Sequence, residues 1–231
     1  MITAGPPQRF SRLLGMGEHR PARVVSNDEL PAELDTNDAW IQQRTGIARR
    51  HLAGEGESVV EMAASAATKA LADAGVEPSR VGQVMLATCS IPDPVPGGAA
   101  QVAESIGALG AGAYDVNAAC AGFCYALGAA SNAIRTGAAE YVVVAGAERI
   151  SDWIDWTDRS SAILFGDGAG AVVVGPSDRP GIGPLVSGSD GSASQLIHMN
   201  PERHLTLDGP GVFRWATTSL GDAAHRVVDA A

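Results

Sequence analysis

Cys120 is the side chain best placed to do chemistry. It follows a short apolar strand and a tight Asn117-Ala118-Ala119 turn, and a run of apolar and small residues reading as a helix begins at it. The positive end of a helix lowers a thiol pKa and favours the thiolate, the form that attacks carbonyl carbon. Gly122 leaves room beside the sulfur. The same position also suits a structural thiol packed as a small hydrophobe, and position alone leaves both readings open. Cys124, one turn further on, and Cys89, ending a strand, read as core thiols. The three cysteines lack Cys-x-x-Cys spacing, so no metal site is expected.

Trp40 and Arg44 are spaced to share one face of a helix. A tryptophan beside an arginine can stack on a purine and hold a phosphate. On spacing alone, ordinary packing with Arg44 reaching to solvent is the stronger reading. Trp153 and Trp156, before Thr157-Asp158-Arg159, suit a groove or an interface. Gly166-Asp167-Gly168-Ala169-Gly170 has the glycines of a dinucleotide loop but the wrong spacing, and an apolar strand follows it instead of a helix. It reads as a tight turn beside the core, with Asp167 accepting local amide hydrogen bonds. His19 and His51 are expected in solvated loops, His198 and His204 in a turn-rich region and His225 on the surface of the last helix. None is spaced as the base of a nucleophile–base pair.

The elements that must position these residues alternate. Phe10 to Gly17 reads as the first strand. A short polar helix follows near Asn37 to Arg44, with Thr36 as its cap. Ser58-Val59-Val60-Glu61 is a capping box. It opens a helix whose apolar stripe is Val59, Ala63, Ala66, Ala67, Ala70, Leu71 and Ala74, with Gly75 at the C-terminal cap. So many alanines predict close approach to a sheet. Strands are predicted at 84–88, 114–116, 141–147 and 169–174, and helices at 97–106 and 120–136, the latter buried on every side. After Gly175 the chain is rich in turns, and a last helix starts near Gly211. Strands alternating with helices predict a layered α/β fold.

Composition narrows the function further. In 231 residues, 45% are hydrophobic and 18% charged, which suits a chain with a sizeable core. The formal charge of −10, with 26 acids against 16 bases, disfavours nucleic acid and anionic membranes as partners. All the bases but Lys69 are arginines, suited to a local phosphate site. The apolar run from Ala118 to Ala130 is too short to span a bilayer. Met1 to Phe10 lacks a basic region followed by an apolar run, so no cleaved export signal is expected. With an odd number of cysteines, this predicts reduced thiols in the cytoplasm.

Four segments in order resemble one family. Asp38-Ala39-Trp40-Ile41 with Arg44-Thr45-Gly46-Ile47, Asp115-Val116-Asn117-Ala118-Ala119-Cys120-Ala121-Gly122-Phe123, Thr157-Asp158-Arg159, and Phe165-Gly166-Asp167-Gly168-Ala169-Gly170 resemble the motifs of β-ketoacyl-acyl-carrier-protein synthase III. The resemblance runs from Phe10 to near the end of the chain. It implies a thiolase-like α-β-α-β-α layered fold, built of two similar α/β halves and paired as a homodimer. Residues 1–175 would form the N-terminal half with the nucleophile, and 176–231 a connecting segment and the start of the second half.

The resemblance also implies a reaction. Cys120 would take an acyl group from a short acyl-CoA as a thioester. Malonyl on acyl carrier protein would then lose carbon dioxide, and the carbanion would attack the thioester, starting a fatty-acid or polyketide chain. Trp40, Arg44 and Arg159 match positions that hold the adenine and phosphates of coenzyme A. Thr45, Leu164, Gly209 and Phe213 match further lining of that tunnel. Arg214 matches a basic position that docks the acidic carrier protein. Val95 matches a position closing the acyl pocket of the neighbouring subunit, and its size predicts tolerance of starters longer than acetyl or branched. Coenzyme A enters as substrate, and no further cofactor is expected. The family's second-half histidine and asparagine, and its late glycine-rich loop, have no counterparts before Ala231, so this chain alone is expected to be inactive. Two rival readings are a starter-unit or ester-forming acyltransferase of the same superfamily, and a non-catalytic half-subunit that binds a partner.

Overall fold

The computed structural model describes residues 10–230. The N-terminal stretch read above for an export signal therefore lies, but for Phe10, outside the described residues. In order the elements are β1 (Phe10–His19), β2 (Arg23–Ser26), α1 (Asp38–Thr45), β3 (Arg49–Leu52), α2 (Val59–Ala74), β4 (Val81–Ala87), α3 (Gly98–Ser105), β5 (Gly112–Val116), α4 (Gly122–Thr136), β6 (Tyr141–Arg149), α5 (Arg159–Ala162), β7 (Asp167–Ser177), β8 (Ile197–Met199), β9 (Leu205–Leu207) and α6 (Gly209–Ala230). They fall into two compact units that interleave along the chain. One comprises Met1–Pro21, Ala53–Arg149 and Gly168–Leu185, and the other Ala22–Leu52, Ile150–Asp167 and Val186–Ala231.

The first unit is built on a five-stranded sheet of order β1-β7-β6-β4-β5. β4 pairs in parallel with β5 and β6, and β1 runs antiparallel to β7. Val142, Val143, Val144 and Ala145 of β6 are all fully buried, the near-continuous apolar run expected of a strand covered on both faces. Alternate residues separate the two sides. Val84, Leu86, Val143, Ala145 and Val173 meet α2 and α3, while Met85, Val142, Val144 and Val174 meet α4.

Helix α2 begins as its sequence requires. Ser58 Oγ accepts from Glu61 N, Glu61 accepts from Ser58 N, and Gly75 closes the helix at a left-handed φ of 63°. Its alanine stripe lies so close to β1 that a Cβ on Gly15 or Gly17 would drive into the backbone of Ala66, Ala70 and Ala74. Helix α3 has no capping side chain of its own, and Asp115 of β5 serves instead, accepting from Gly98 N at 2.8 Å and Ala99 N at 2.7 Å.

Four expectations are corrected here. Helix α4 starts at Gly122 and is not buried all round: Ala126, Ala130 and Ile134 face the sheet, while Cys124, Asn132 and Arg135 are exposed. A single sheet covers only one face of a helix. His19 is not in a solvated loop but ends β1, its ring nitrogens 3.0 Å from Ser65 Oγ and 3.3 Å from Glu57 Oε1. His51 lies in β3. Gly168 and Gly170 form no turn, since β7 already begins at Asp167 and no glycine of this motif has positive φ.

The second unit is smaller and less regular. β2 pairs antiparallel with β3, and β8 with β9, so the turn-rich region holds a hairpin. The cap of α1 is Asn37 rather than Thr36: its side chain accepts from Trp40 N at 2.9 Å. The Thr36 hydroxyl is buried and finds no partner among the described residues. The last helix, α6, begins at Gly209, two residues before the predicted start. Among the described residues no helix is long and apolar enough to cross a membrane, and no group of three or more His, Cys, Asp or Glu is placed to hold a metal.

Candidate active site

Cys120 sits in a single 3₁₀ turn, Ala119–Ala121, between β5 and α4. Its residue is exposed. Ala119, just before it, has φ 44°, a left-handed conformation that an alanine adopts only under constraint from its surroundings. The left-handed residue lets the chain leave the edge strand β5 and enter a helix within a few residues, and leaves Cys120 exposed. No side chain caps the N-terminus of α4, so the first amides of that helix remain the positive end of its dipole close to the sulfur. Gly122 lies where a Cβ would be 3.4 Å from both Ala87 Cβ and Val116 O, and its absence lets the start of α4 settle on the strand ends.

The other two thiols differ from their core assignment. Cys124 is exposed, and Cys89 is half-buried. Cys89 belongs to a loop gathered around one carboxylate that the sequence did not reveal. Glu148 accepts from Cys89 N at 2.9 Å, Ser90 N at 3.0 Å and Thr88 Oγ1 at 3.3 Å, and also from Ser90 Oγ. Burial first, and then this carboxylate, push the Cys89 thiol up to about 12. Both effects favour the protonated thiol at Cys89.

In the second unit the residues singled out around Trp40 come together. The Arg44 guanidinium lies 4.0 Å and that of Arg159 5.0 Å from the Trp40 ring centroid. A tryptophan flanked by two cations is a platform for a purine and its phosphates. Arg44 is exposed, as spacing alone favoured, and at the same time lies over the Trp40 ring of its own helix. Arg159 also donates to Asp35 O at 2.9 Å, a carbonyl offered by a residue with φ 45°. The acids around Arg159 serve the backbone: Asp158 caps α5 by accepting from Ser160 N, and Asp155 accepts from Thr157 N and Oγ1. The Thr45 hydroxyl is engaged within its own turn, donating to Ile41 O and accepting from Ile47 N. Asp167 accepts from Ser151 N at 2.9 Å and Ser151 Oγ at 2.6 Å, the local bracing role expected of it.

The remaining predicted residues are more dispersed. Leu164 and Gly209 are partly buried, while Phe213 and Arg214, on the first turns of α6, are exposed. Val95 is 84% exposed, at the rim of a groove of about 460 Å³ formed in the first unit by the start of α2 and residues 91–96.

An exposed thiol on a constrained turn between an edge strand and a helix is the arrangement of a candidate thiol nucleophile. Comparison with known proteins gives the family. A family profile described as 3-oxoacyl-[acyl-carrier-protein (ACP)] synthase III matches residues 114–191, the segment around Cys120. The chain is 42% identical, over 96% of its length and 71% of the relative's, to β-ketoacyl-[acyl-carrier-protein] synthase III 1 of Streptomyces coelicolor. It is 42% identical, over 95% and 69%, to the mycobacterial β-ketoacyl-[acyl-carrier-protein] synthase III of Mycobacterium tuberculosis. Among solved structures, the priming β-ketosynthase of the R1128 polyketide pathway superposes with a TM-score of 0.91 at 44% identity, covering 95% of this chain and 70% of that one. The chain belongs to the β-ketoacyl-acyl-carrier-protein synthase III family, with its thiolase-like α/β fold, and is an acyl-transferring condensing enzyme.

Proposed function

We propose that Cys120 is the nucleophile of this chain and that acyl-CoA is its first substrate. The thiolate attacks the thioester carbonyl, the acyl group passes to Sγ, and the thiol of coenzyme A leaves. In the family's second step malonyl on acyl carrier protein binds and loses carbon dioxide, and its carbanion takes the acyl group from Cys120 to give a β-ketoacyl product. That step calls on the family's second-half histidine and asparagine, so what these residues are assigned by themselves is the acylation of Cys120. The observation that carries this reading is the exposed Cys120, on the strained Ala119 turn at the uncapped start of α4. The Trp40–Arg44–Arg159 cluster supports coenzyme A as the donor, since it offers a stacking ring and two fixed cations to a nucleotide. Thr45, Leu164, Gly209 and Phe213 are assigned to the same tunnel by family position.

Arg214 supplies an exposed positive charge for docking the acidic carrier protein, which a chain of net charge −10 would otherwise repel. Pairing as a homodimer is supported by β5 lying at the sheet edge with Tyr114 exposed. In such a dimer Val95 reaches the acyl pocket of the neighbouring subunit and admits long or branched starters. A cytoplasmic setting is compatible with the described residues, none of whose helices is long and apolar enough to cross a membrane.

Intact-protein mass spectrometry tests the reading. Incubation with a panel of acyl-CoA thioesters is expected to add one acyl mass, mapped to Cys120, with branched and longer chains accepted beside acetyl. Cys120→Ala is expected to lower acylation at least about a thousandfold. Acylation elsewhere, or none in a folded sample, refutes the nucleophile, and strict preference for acetyl refutes the role of Val95.

A further inference from the structure

We propose that Arg50 and Asn27 are positioning residues for the nucleotide end of coenzyme A: one buried guanidinium–amide pair sets both helices that carry the Trp40 cluster. The proposal deepens the assignment of that cluster and rests on it.

Arg50 lies in β3 and is 5% exposed. Its Nη2 donates to Asn27 Oδ1 at 2.8 Å and to the Ile163 carbonyl at 3.2 Å. Ile163 is the C-terminal cap of α5, the helix that opens with Arg159. Asn27 passes the constraint to the other helix. Its Nδ2 donates to Asp38 Oδ1 at 2.9 Å and to the Ile47 carbonyl at 2.7 Å. Asp38 is the first residue of α1 and Ile47 lies just beyond its end, so Asn27 grips both ends of the helix bearing Trp40 and Arg44. Gly166 belongs to the same device, because a Cβ there would come within 2.9 Å of His51 O and 3.2 Å of Arg50 Cβ. The first glycine of the motif that has only the look of a dinucleotide loop thus lets β3 lie against the chain just after Ile163.

The chemistry of Arg50 argues that position, rather than stability, is what it supplies. Its Nε and Nη1 are buried without a hydrogen-bond partner among the described residues. A buried cation with orphaned donors is costly, which makes Arg50 a poor device for stability alone. What an apolar residue cannot do is make two directed bonds that index α5 to Asn27, and through it α1. Stacking and phosphate contacts are sensitive to displacements of about 1 Å, so this indexing reaches the ligand through the two helices.

The test uses the full chain with Arg50→Met, Arg50→Lys and Asn27→Ser. Two quantities are measured for each: coenzyme A affinity by isothermal titration calorimetry, and the rate of Cys120 acylation by acyl-CoA and by the matching acyl-N-acetylcysteamine thioester, which lacks the nucleotide. Arg50→Met is expected to weaken coenzyme A binding about tenfold and to raise the half-saturating acyl-CoA concentration by a similar factor. Its saturating rate and its rate with the short thioester should stay within about twofold of the parent. Arg50→Lys, which keeps the charge but loses the planar fork, should fall between. Asn27→Ser should show the same split between donors, which keeps the idea open to refutation should Arg50→Met not fold. Unchanged coenzyme A affinity in the variants, or equal loss with both thioesters, overturns the proposal. Failure of the unaltered chain to bind coenzyme A overturns the cluster assignment and the proposal together, and is seen before any variant is made.

Discussion

The two units hold their shape by different means. The first is organised by apolar contact: aliphatic strands buried on both faces, and an alanine stripe against glycines of β1. The second has two-stranded ribbons, the short α1 and α5 and the long α6, and its functional side chains are set by directed hydrogen bonds accepted by Asn37, Asp155 and Asp158 and donated by Asn27 and Arg50. The thiol that makes and breaks bonds stands on the rigid sheet unit. The residues suited to recognising a large polar ligand stand on loops and short helices, where polar groups can be arranged without building a core. Interior packing and surface bonding should therefore fail differently when disturbed.

The largest contrast is expected at Cys89, which the first unit holds half-buried beside Glu148. With the thiol at about 12 against 9.0 for a free cysteine, its thiolate fraction near pH 8 falls about a thousandfold below that of the same residue in the unfolded chain. Iodoacetamide followed by peptide mapping should label Cys120 and Cys124 but reach Cys89 only in urea or as pH climbs toward 12. Because the folded pKa is raised, the stability linked to the neutral thiol is whole below about pH 9 and is lost as pH rises through 12. Labelling of Cys89 at pH 8 in the native chain would show that this part of the unit is open to water.

Next in size is Gly17→Val. The new side chain meets the backbone of α2, which cannot give way as a flexible side chain would. A loss of about 3 kcal/mol is expected in urea unfolding, enough to leave much of the chain unfolded at moderate temperature. The smallest effect is expected in the second unit. Asn37→Ala removes the cap of α1 and should cost about 1 kcal/mol by the same measurement. If the two substitutions cost the same, the division between packing and bonding is mistaken.

The outcome at individual residues shows what kinds of information a chain displays openly. The capping box at Ser58, the cap at Gly75 and the face shared by Trp40 and Arg44 involve neighbours three or four residues apart, or a single residue beside a helix end, and were legible. The cap of α1 was misplaced by one residue because Thr36 and Asn37 are both good capping types, and only the backbone entering the helix chooses between them. Cys124 and the face of α4 were misread because an all-apolar helix sequence does not say how many of its sides will be covered.

By itself the sequence determined the alternation of elements, the buried strands and the cysteine at a strand-to-helix turn, because periodicity and turn chemistry act between near neighbours. Tertiary structure alone decided which polar atoms meet. Asp115 caps a helix 17 residues earlier, Glu148 gathers a loop some 59 residues away, and Arg50 reaches a carbonyl 113 residues along the chain. Such bonds depend on strand register and on distances of a few tenths of an ångström, and no pattern of residue types along a chain carries that information.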